Sequence, residues 1–268
     1  MQPLARVPHH LLAGARGVLA DLDETITTHG RLGVRAFAAL ARLHAAGLWV
    51  LVVTGRSAGW CDHLARTWPL DAVVAENGGV WFACRNGRVA KHYAATDAER
   101  AGQRARLQAA LREVLTAVPG ARAAADQPYR ETDIAIDWNE DVPRLADAEV
   151  EKALAILQAA GARTTRSNVH LHGSFGEHDK LTTTAAALRA RFGVDHDAVR
   201  DELLFVGDSQ NDAPMFRFFT RTSVGVANVR DCLDRLDTPP AYVTEAERGD
   251  GFIELADRLL AARRQPLA

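Results

Sequence analysis

Three apolar runs along the chain stop abruptly at polar clusters. Val18-Leu19-Ala20 leads into Asp21-Leu22-Asp23-Glu24-Thr25, Leu48 to Val53 leads into Thr54, and Leu203 to Val206 leads into Gly207-Asp208-Ser209-Gln210-Asn211-Asp212. Short unbroken apolar runs are the pattern of strands buried on both faces, as in a parallel sheet. Around them the spacing is helical: Leu32 to Ala46 closed by Gly47, Ser57 to Thr67, Lys180 to Phe192, a helix from Ala213, and a last one over Gly251 to Ala262. Further strands are predicted at Ala72 to Ala75, Ser223 to Val226 and Ala241 to Thr244, with a helical turn after Val229. Val80 to Cys84 and Arg88 to Tyr93 flank Asn86-Gly87, a pair that tolerates positive φ and so predicts a tight hairpin. Alternating β and α segments of this kind wind an open α/β sheet.

The middle of the chain has a different character. Asp97 to Val118 reads as a charged, Ala-rich helix, Thr132 to Trp138 as an alternating strand, Asp147 to Ala160 as a second helix and Thr164 to His172 as one more strand. The pattern therefore divides the chain into a core, residues 1–93 and 173–268, and a smaller inserted α+β domain, residues 94–172. A length of 268 residues suits that division.

In an open α/β sheet, ligands bind beyond the carboxyl ends of the strands, where residues far apart in sequence converge. Taken in order, Asp21/Asp23/Thr25, Thr54, Lys180 and Asp208/Asn211/Asp212 resemble the four motifs of the haloacid dehalogenase superfamily of phosphohydrolases. Those motifs are DxDx(T/V), a strand-end Ser or Thr, a Lys, and an acidic GDxxND-type loop. About a hundred residues separate Thr54 from Lys180, which resembles the Cof-like or IIB branch with a C2-type cap inserted there. The resemblance covers most of the chain and is sharp only in the core. It implies a Rossmann-like, doubly wound parallel core and a phosphatase acting on a small phosphorylated metabolite, chiefly a sugar phosphate or phosphorylated sugar acid. Dehalogenases of the family lack an Asp at the position of Asp23 and its transport ATPases carry Thr there. A phosphomannomutase-like phosphomutase shares the motifs and the cap, and an inactive binding or regulatory protein of the same fold is a third reading.

The residues give the same chemistry from first principles. Hydrolysing a phosphate monoester needs a nucleophile, charge neutralisation on the equatorial oxygens and a proton for the leaving alkoxide. Asp21 is the candidate nucleophile, forming an acyl phosphate, and Asp23 the candidate general acid and base. Asp208, with Asp21 and the backbone carbonyl of Asp23, is the expected ligand set for Mg²⁺, a hard cation that takes oxygen donors. Asn211 and Asp212 either ligate the metal or orient its waters. Thr54 and Lys180 are expected to bind phosphoryl oxygens.

Other polar groups carry weaker signals. Asn77, in Glu76-Asn77-Gly78-Gly79 at a strand end, is a candidate site residue, as is Arg56, which either approaches the phosphate or caps the next helix. Arg130, Asn168 and His170 are candidate substrate contacts from the insert. His170, His172 and His178 invite a zinc reading, which their irregular spacing disfavours. Glu24 and Thr25 read as turn residues, and Trp138 as packing. Composition then narrows the classes. An apolar content of 47% allows a sizeable core, and a formal charge of −2 offers no basic excess for nucleic acid. Cys61, Cys84 and Cys232 are too few and scattered for a disulfide framework. Apolar stretches are strand-sized, and Met1 to Ala20 carries Arg6, His9, His10 and Arg16 where a signal peptide would be apolar. The expectation is a soluble cytoplasmic protein whose partner is a small metabolite, with no nucleic acid or membrane.

Overall fold

A computed structural model describes residues 1–264. The first part of the chain lays down β1 (Gln2–Pro3), α1 (His9–Ala13), β2 (Gly17–Ala20), α2 (Val34–Ala45), β3 (Trp49–Val53), α3 (Ala58–Thr67), β4 (Ala72–Ala75), β5 (Val80–Arg85) and β6 (Arg88–Tyr93). The insert follows as α4 (Asp97–Ala117), β7 (Arg122–Ala123), β8 (Asp133–Asp137), α5 (Asp147–Ala159), β9 (Arg163–Arg166) and β10 (His170–Ser174). The chain then returns with α6 (Lys180–Phe192), β11 (Leu203–Gly207), α7 (Ala213–Phe218), β12 (Ser223–Gly225), β13 (Tyr242–Val243) and α8 (Arg248–Arg264).

Nine strands form the main sheet in the order β1-β13-β12-β11-β2-β3-β4-β5-β6. All neighbours from β1 to β4 are parallel, and the β4-β5-β6 edge is antiparallel. From β2 the chain winds one way through β3 and β4, and from β11 the other way through β12 and β13. The β2/β11 boundary is thus the topological switch point, where an open sheet leaves a crevice. Their register, Val206 opposite Ala20, puts Asp21 and Asp208 side by side just past it. The Asp21 N–H donates to the Val206 carbonyl at 2.9 Å, extending the ladder to Asp21 itself.

Helices cover both faces because each carries one apolar stripe. In α2 the buried positions are Ala36, Ala39, Leu40 and Leu43, a helical i, i+3, i+4, i+7 pattern. They join Phe252, Leu255, Ala256 and Leu259 of α8 on one face of the sheet. Ala187 and Leu188 of α6 and Met215 and Phe216 of α7 pack against the other. The insert has its own core, in which Leu107, Leu111 and Val114 of α4 and Val150, Ala153 and Leu157 of α5 cover an antiparallel sheet of order β7-β8-β10-β9.

The hairpin turn follows its sequence signal, with Asn86 at φ 52° and Gly87 at φ 73°. The strand expected over Thr164 to His172 is instead two, β9 and β10, paired Leu171 to Arg166. Ser167 makes the break: its hydroxyl accepts the His170 N–H at 3.0 Å while its own N–H donates to the His170 carbonyl at 2.9 Å. The insert also gains β7, and β1 and α1 precede the first expected strand. Among the described residues, no helix is long and apolar enough to cross a membrane.

Candidate active site

Four buried charged groups meet at the switch point. The Lys180 ammonium, 1% exposed, lies 2.6 Å from Asp21 Oδ1 and 2.7 Å from Asp212 Oδ1. Lys180 is the first residue of α6, and its position follows from how that helix begins. The Asp179 carboxylate caps the helix by accepting the Thr182 N–H at 2.8 Å. Gly78 lets the capped turn come close, since a Cβ there would meet the Asp179 carbonyl oxygen at 2.1 Å. Burial alone would lower the Lys180 pKa, but the Asp21 and Asp212 carboxylates outweigh it and hold the ammonium charged. Burial pushes the Asp21 carboxyl up to about 7 against the opposing pull of Lys180, with Asp212 and Asp23 adding to the rise.

Asp212 uses both its oxygens within the protein. Oδ1 takes Lys180, and Oδ2 accepts the N–H groups of Asp208 at 3.0 Å and Ser209 at 3.2 Å. Gly207 permits this fold-back, because a Cβ there would lie 2.4 Å from Asp212 Oδ2. The Asn211 amide is also engaged, accepting from the Ser209 hydroxyl at 2.7 Å and donating to Asn77 Oδ1 at 3.3 Å. Thr54 is fully buried at the end of β3, its hydroxyl accepting the Arg56 N–H at 3.1 Å.

Asp208 differs from its neighbours. Its Oδ2 accepts from Asn168 of the insert at 2.5 Å and from Asn228 at 2.8 Å, whereas Oδ1 is buried with no hydrogen-bond partner. Burial, then the nearby Asp21 carboxylate, raises its pKa well above the usual carboxylate value. Asp21, Asp208 and Asp212 offer carboxylate oxygens within 4.8 Å of one another. Crowded anions with an orphaned oxygen fit a hard divalent cation, which takes oxygen ligands and would remove both the repulsion and the unmet bond.

Arg56 binds Asp23 through two parallel bonds, Nε to Oδ2 and Nη2 to Oδ1, both 2.8 Å. The same guanidinium holds Glu140 of the insert, and His170 Nε2 lies 2.8 Å from Glu140 Oε2. The Glu140 carboxyl is held at about 2: burial would raise it, and His170 and Arg56 more than reverse that. Arg56 therefore neither caps a helix nor sits free for phosphate.

Arg130 does not reach the cleft. Its side chain is fully buried, pairing with Asp126 and Asp133, both at 2.9 Å, and donating to the Gly55 carbonyl at 3.0 Å. The expectation of a substrate contact from Arg130 is corrected accordingly: its donors join insert to core. His172 packs beside it, with Nδ1 3.0 Å from Asp133 Oδ2. Glu76 makes a second junction, accepting the N–H groups of Glu131 at 3.0 Å and Thr132 at 2.6 Å. Sequence reasoning missed Asn228 and Glu140. Asn228 carried a usable signal, since it follows the end of β12, one more strand pointing at the crevice; it bridges the Glu24 carbonyl and Asp208. Glu140 carried none, because its partner Arg56 is 84 residues away.

No protein-family model matches the chain. It is 30% identical over 243 residues to a phosphoglycolate phosphatase of Haloarcula marismortui, covering 88% of this chain and 94% of that protein. Among solved structures, a Thermoplasma acidophilum protein superposes with TM-score 0.68 at 18% identity, covering 92% and 98% of the two chains. A subclass IIB sugar phosphatase of the haloacid dehalogenase superfamily gives 0.61 at 15% identity, covering 92% and 100%. The C-terminal domain of C. albicans trehalose-6-phosphate phosphatase gives 0.69 at 13% identity, covering 97% and 99%. Similarity to a phosphatase over 88% of the chain and acidic motifs meeting at one switch point lead to one assignment: the chain belongs to the family of that phosphoglycolate phosphatase, and it has the fold of the subclass IIB sugar phosphatase of the haloacid dehalogenase superfamily.

Proposed function

We propose that this phosphatase is Mg²⁺-dependent and hydrolyses a sugar phosphate or phosphorylated sugar acid through an aspartyl phosphate on Asp21. The observation that carries the reading is the cluster of Lys180, Asp21, Asp212 and Asp208 around an unpartnered Asp208 Oδ1. Asp21, the Asp23 backbone carbonyl and Asp208 would hold Mg²⁺, which supplies charge neutralisation between nucleophile and phosphate when bound. Asp212, with both oxygens engaged, orients Lys180 and the Asp208 loop. Lys180 and Thr54 bind the phosphoryl oxygens and hold them in line with Asp21. Asp23 gives its proton to the departing alkoxide and takes one from the water that opens the acyl phosphate. Arg56 fixes the plane of that carboxylate through both oxygens, and one of them has to leave the guanidinium for Asp23 to carry the proton. Residues 94–172 act as the cap that selects the leaving group, and Asn168 and His170 reach the site from it.

The test is phosphate release from an aryl phosphate with and without Mg²⁺. Asp21→Asn is expected to lose several orders of magnitude in kcat with an unchanged circular dichroism spectrum, since the amide is nearly isosteric but forms no acyl phosphate. Retention of more than a few per cent of activity, in deamidation-free protein, would assign the nucleophile elsewhere. Movement of phosphate between two hexose positions without release of inorganic phosphate would favour a mutase.

A further inference from the structure

The Ser167-Asn168-Val169 turn of the insert is built almost entirely from bonds internal to the insert. The Ser167 hydroxyl accepts the His170 N–H at 3.0 Å, and the Trp138 indole N–H donates to the Ser167 carbonyl at 3.2 Å. The Asn139 side-chain amide donates to the Asn168 carbonyl at 2.9 Å. The Asn168 side chain takes no part in holding the turn. Its amide instead crosses to the core and donates to Asp208 Oδ2 at 2.5 Å. A carboxylate oxygen only accepts, so the group that faces it is the amide nitrogen. Among the described residues, this is the one hydrogen bond from an insert side chain to the Asp21, Asp208 and Asp212 cluster.

A second amide reaches the same oxygen from the core. Asn228 donates to Asp208 Oδ2 at 2.8 Å, and it is fixed independently of the insert. It also donates to the Glu24 carbonyl at 3.0 Å, and its own Oδ1 accepts the Arg248 N–H at 2.9 Å. Two donors therefore occupy Oδ2 and orient the carboxylate, while Oδ1 stays buried without a partner. Amides that orient a metal-binding carboxylate in this way raise its affinity for the metal. Here one of the two belongs to the core and the other to the insert.

We infer that Asn168 is a positioning residue of the metal centre, through which Mg²⁺ binding and the seating of the Ser167–His170 turn on the core reinforce each other. The inference rests on the reading of Asp208 as a Mg²⁺ ligand and adds which part of the insert the metal governs. The Asp21, Asp208 and Asp212 oxygens lie within 4.8 Å of one another, so without a cation they repel and Asp208 is pushed from the orientation that Asn168 meets. A cation on Oδ1 holds it there. Whatever factor the Asn168 bond adds to Mg²⁺ affinity, Mg²⁺ must return to the seating of the turn.

The test combines calorimetric titration of Mg²⁺ with amide hydrogen exchange at Ser167 and His170, in wild type, Asn168→Ala and Asn228→Ala. Losing a partner behind a metal ligand typically weakens metal binding about ten- to a hundredfold, and Asn168→Ala is expected to fall in that range. Saturating Mg²⁺ should slow exchange of the two amides in wild type and leave it unchanged in Asn168→Ala. Asn228→Ala should also bind Mg²⁺ more weakly yet keep the slowing, because its amide belongs to the core. A merely structural role for Asn168 would alter exchange equally with and without Mg²⁺ and leave Mg²⁺ affinity at the wild-type value, which overturns the inference. Tighter Mg²⁺ binding by Asn168→Ala, or faster exchange in wild type on adding Mg²⁺, overturns it too, since the metal would then displace the amide. Wild-type protein that binds no Mg²⁺ brings down the metal reading and this inference together, whereas equal Mg²⁺ affinity in wild type and Asn168→Ala brings down the inference alone.

Discussion

Asp21 and Asp208 are carboxyls that burial keeps from ionising easily, one at about 7 and the other well above its usual value. A divalent cation binds only their ionised forms, so loading must expel protons. Titration of Mg²⁺ in buffers of different ionisation enthalpy is expected to show net proton release. Release should be larger near pH 6 than near pH 8, where Asp21 is already ionised. Proton uptake, or no linkage at either pH, would remove these two side chains from the ligand set.

Asp23 belongs to the same scale, and its proposed role differs between substrates. With a nitrophenyl ester, whose departing oxygen needs no proton, Asp23→Asn should still phosphorylate Asp21 but open the acyl phosphate slowly. Acid quenching is then expected to trap phosphoenzyme. Equal losses for good and poor leaving groups, with nothing trapped, would contradict the role.

At the scale of elements, the site depends on α6 being able to start where it does. Gly78, at φ 107°, stands where a methyl group would meet the Asp179 carbonyl, and the helix behind that carbonyl carries Lys180. Gly78→Ala is expected to cost about 3 kcal/mol or more, through both the backbone conformation and the clash. Its signature would be a lower unfolding midpoint together with a fall in kcat. A midpoint within a degree of wild type would show that the turn relaxes freely.

Elements also explain what could be read from the chain. Asp21, Thr54 and Asp208 were legible because each follows an apolar run, so element and chemistry are signalled together. The Ser167-Asn168-Val169 turn was hidden: Thr164-Thr165 before it and His170-Leu171-His172 after it keep the alternation of a single strand. Arg130 reads the same in sequence whether its guanidinium is free or surrounded by Asp126 and Asp133. Only the fold shows that both acids are on the same buried side.

For the whole molecule, the junction between insert and core sets a pH limit. Burial, then the charge of Arg130, holds the His172 imidazole well below its ordinary 6.5. A histidine kept neutral by the fold gives its full contribution above that value, and the contribution is lost as pH falls and the unfolded chain takes up the proton. Between about pH 7.5 and about 5.5, wild type should therefore lose roughly 1 kcal/mol more stability than His172→Gln. Denaturant midpoints at the two pH values measure the difference. Asp133, which burial raises to about 6, trends the opposite way and touches His172, so the same pair is also compared on an Asp133→Asn background. Parallel losses in both proteins would exclude His172 as the cause.

Arg56 grips Asp23 with one edge of its guanidinium and Glu140 with the other. Selectivity and rate are consequently not independent traits in this lineage. A mutation that reshapes the loop around Glu140 to admit a different leaving group also tugs on Asp23, the carboxylate proposed to move the proton. New specificities should arise here through correlated changes at positions 56 and 140, and substitutions tolerated singly on one side of that arginine should fail on the background of changes on the other.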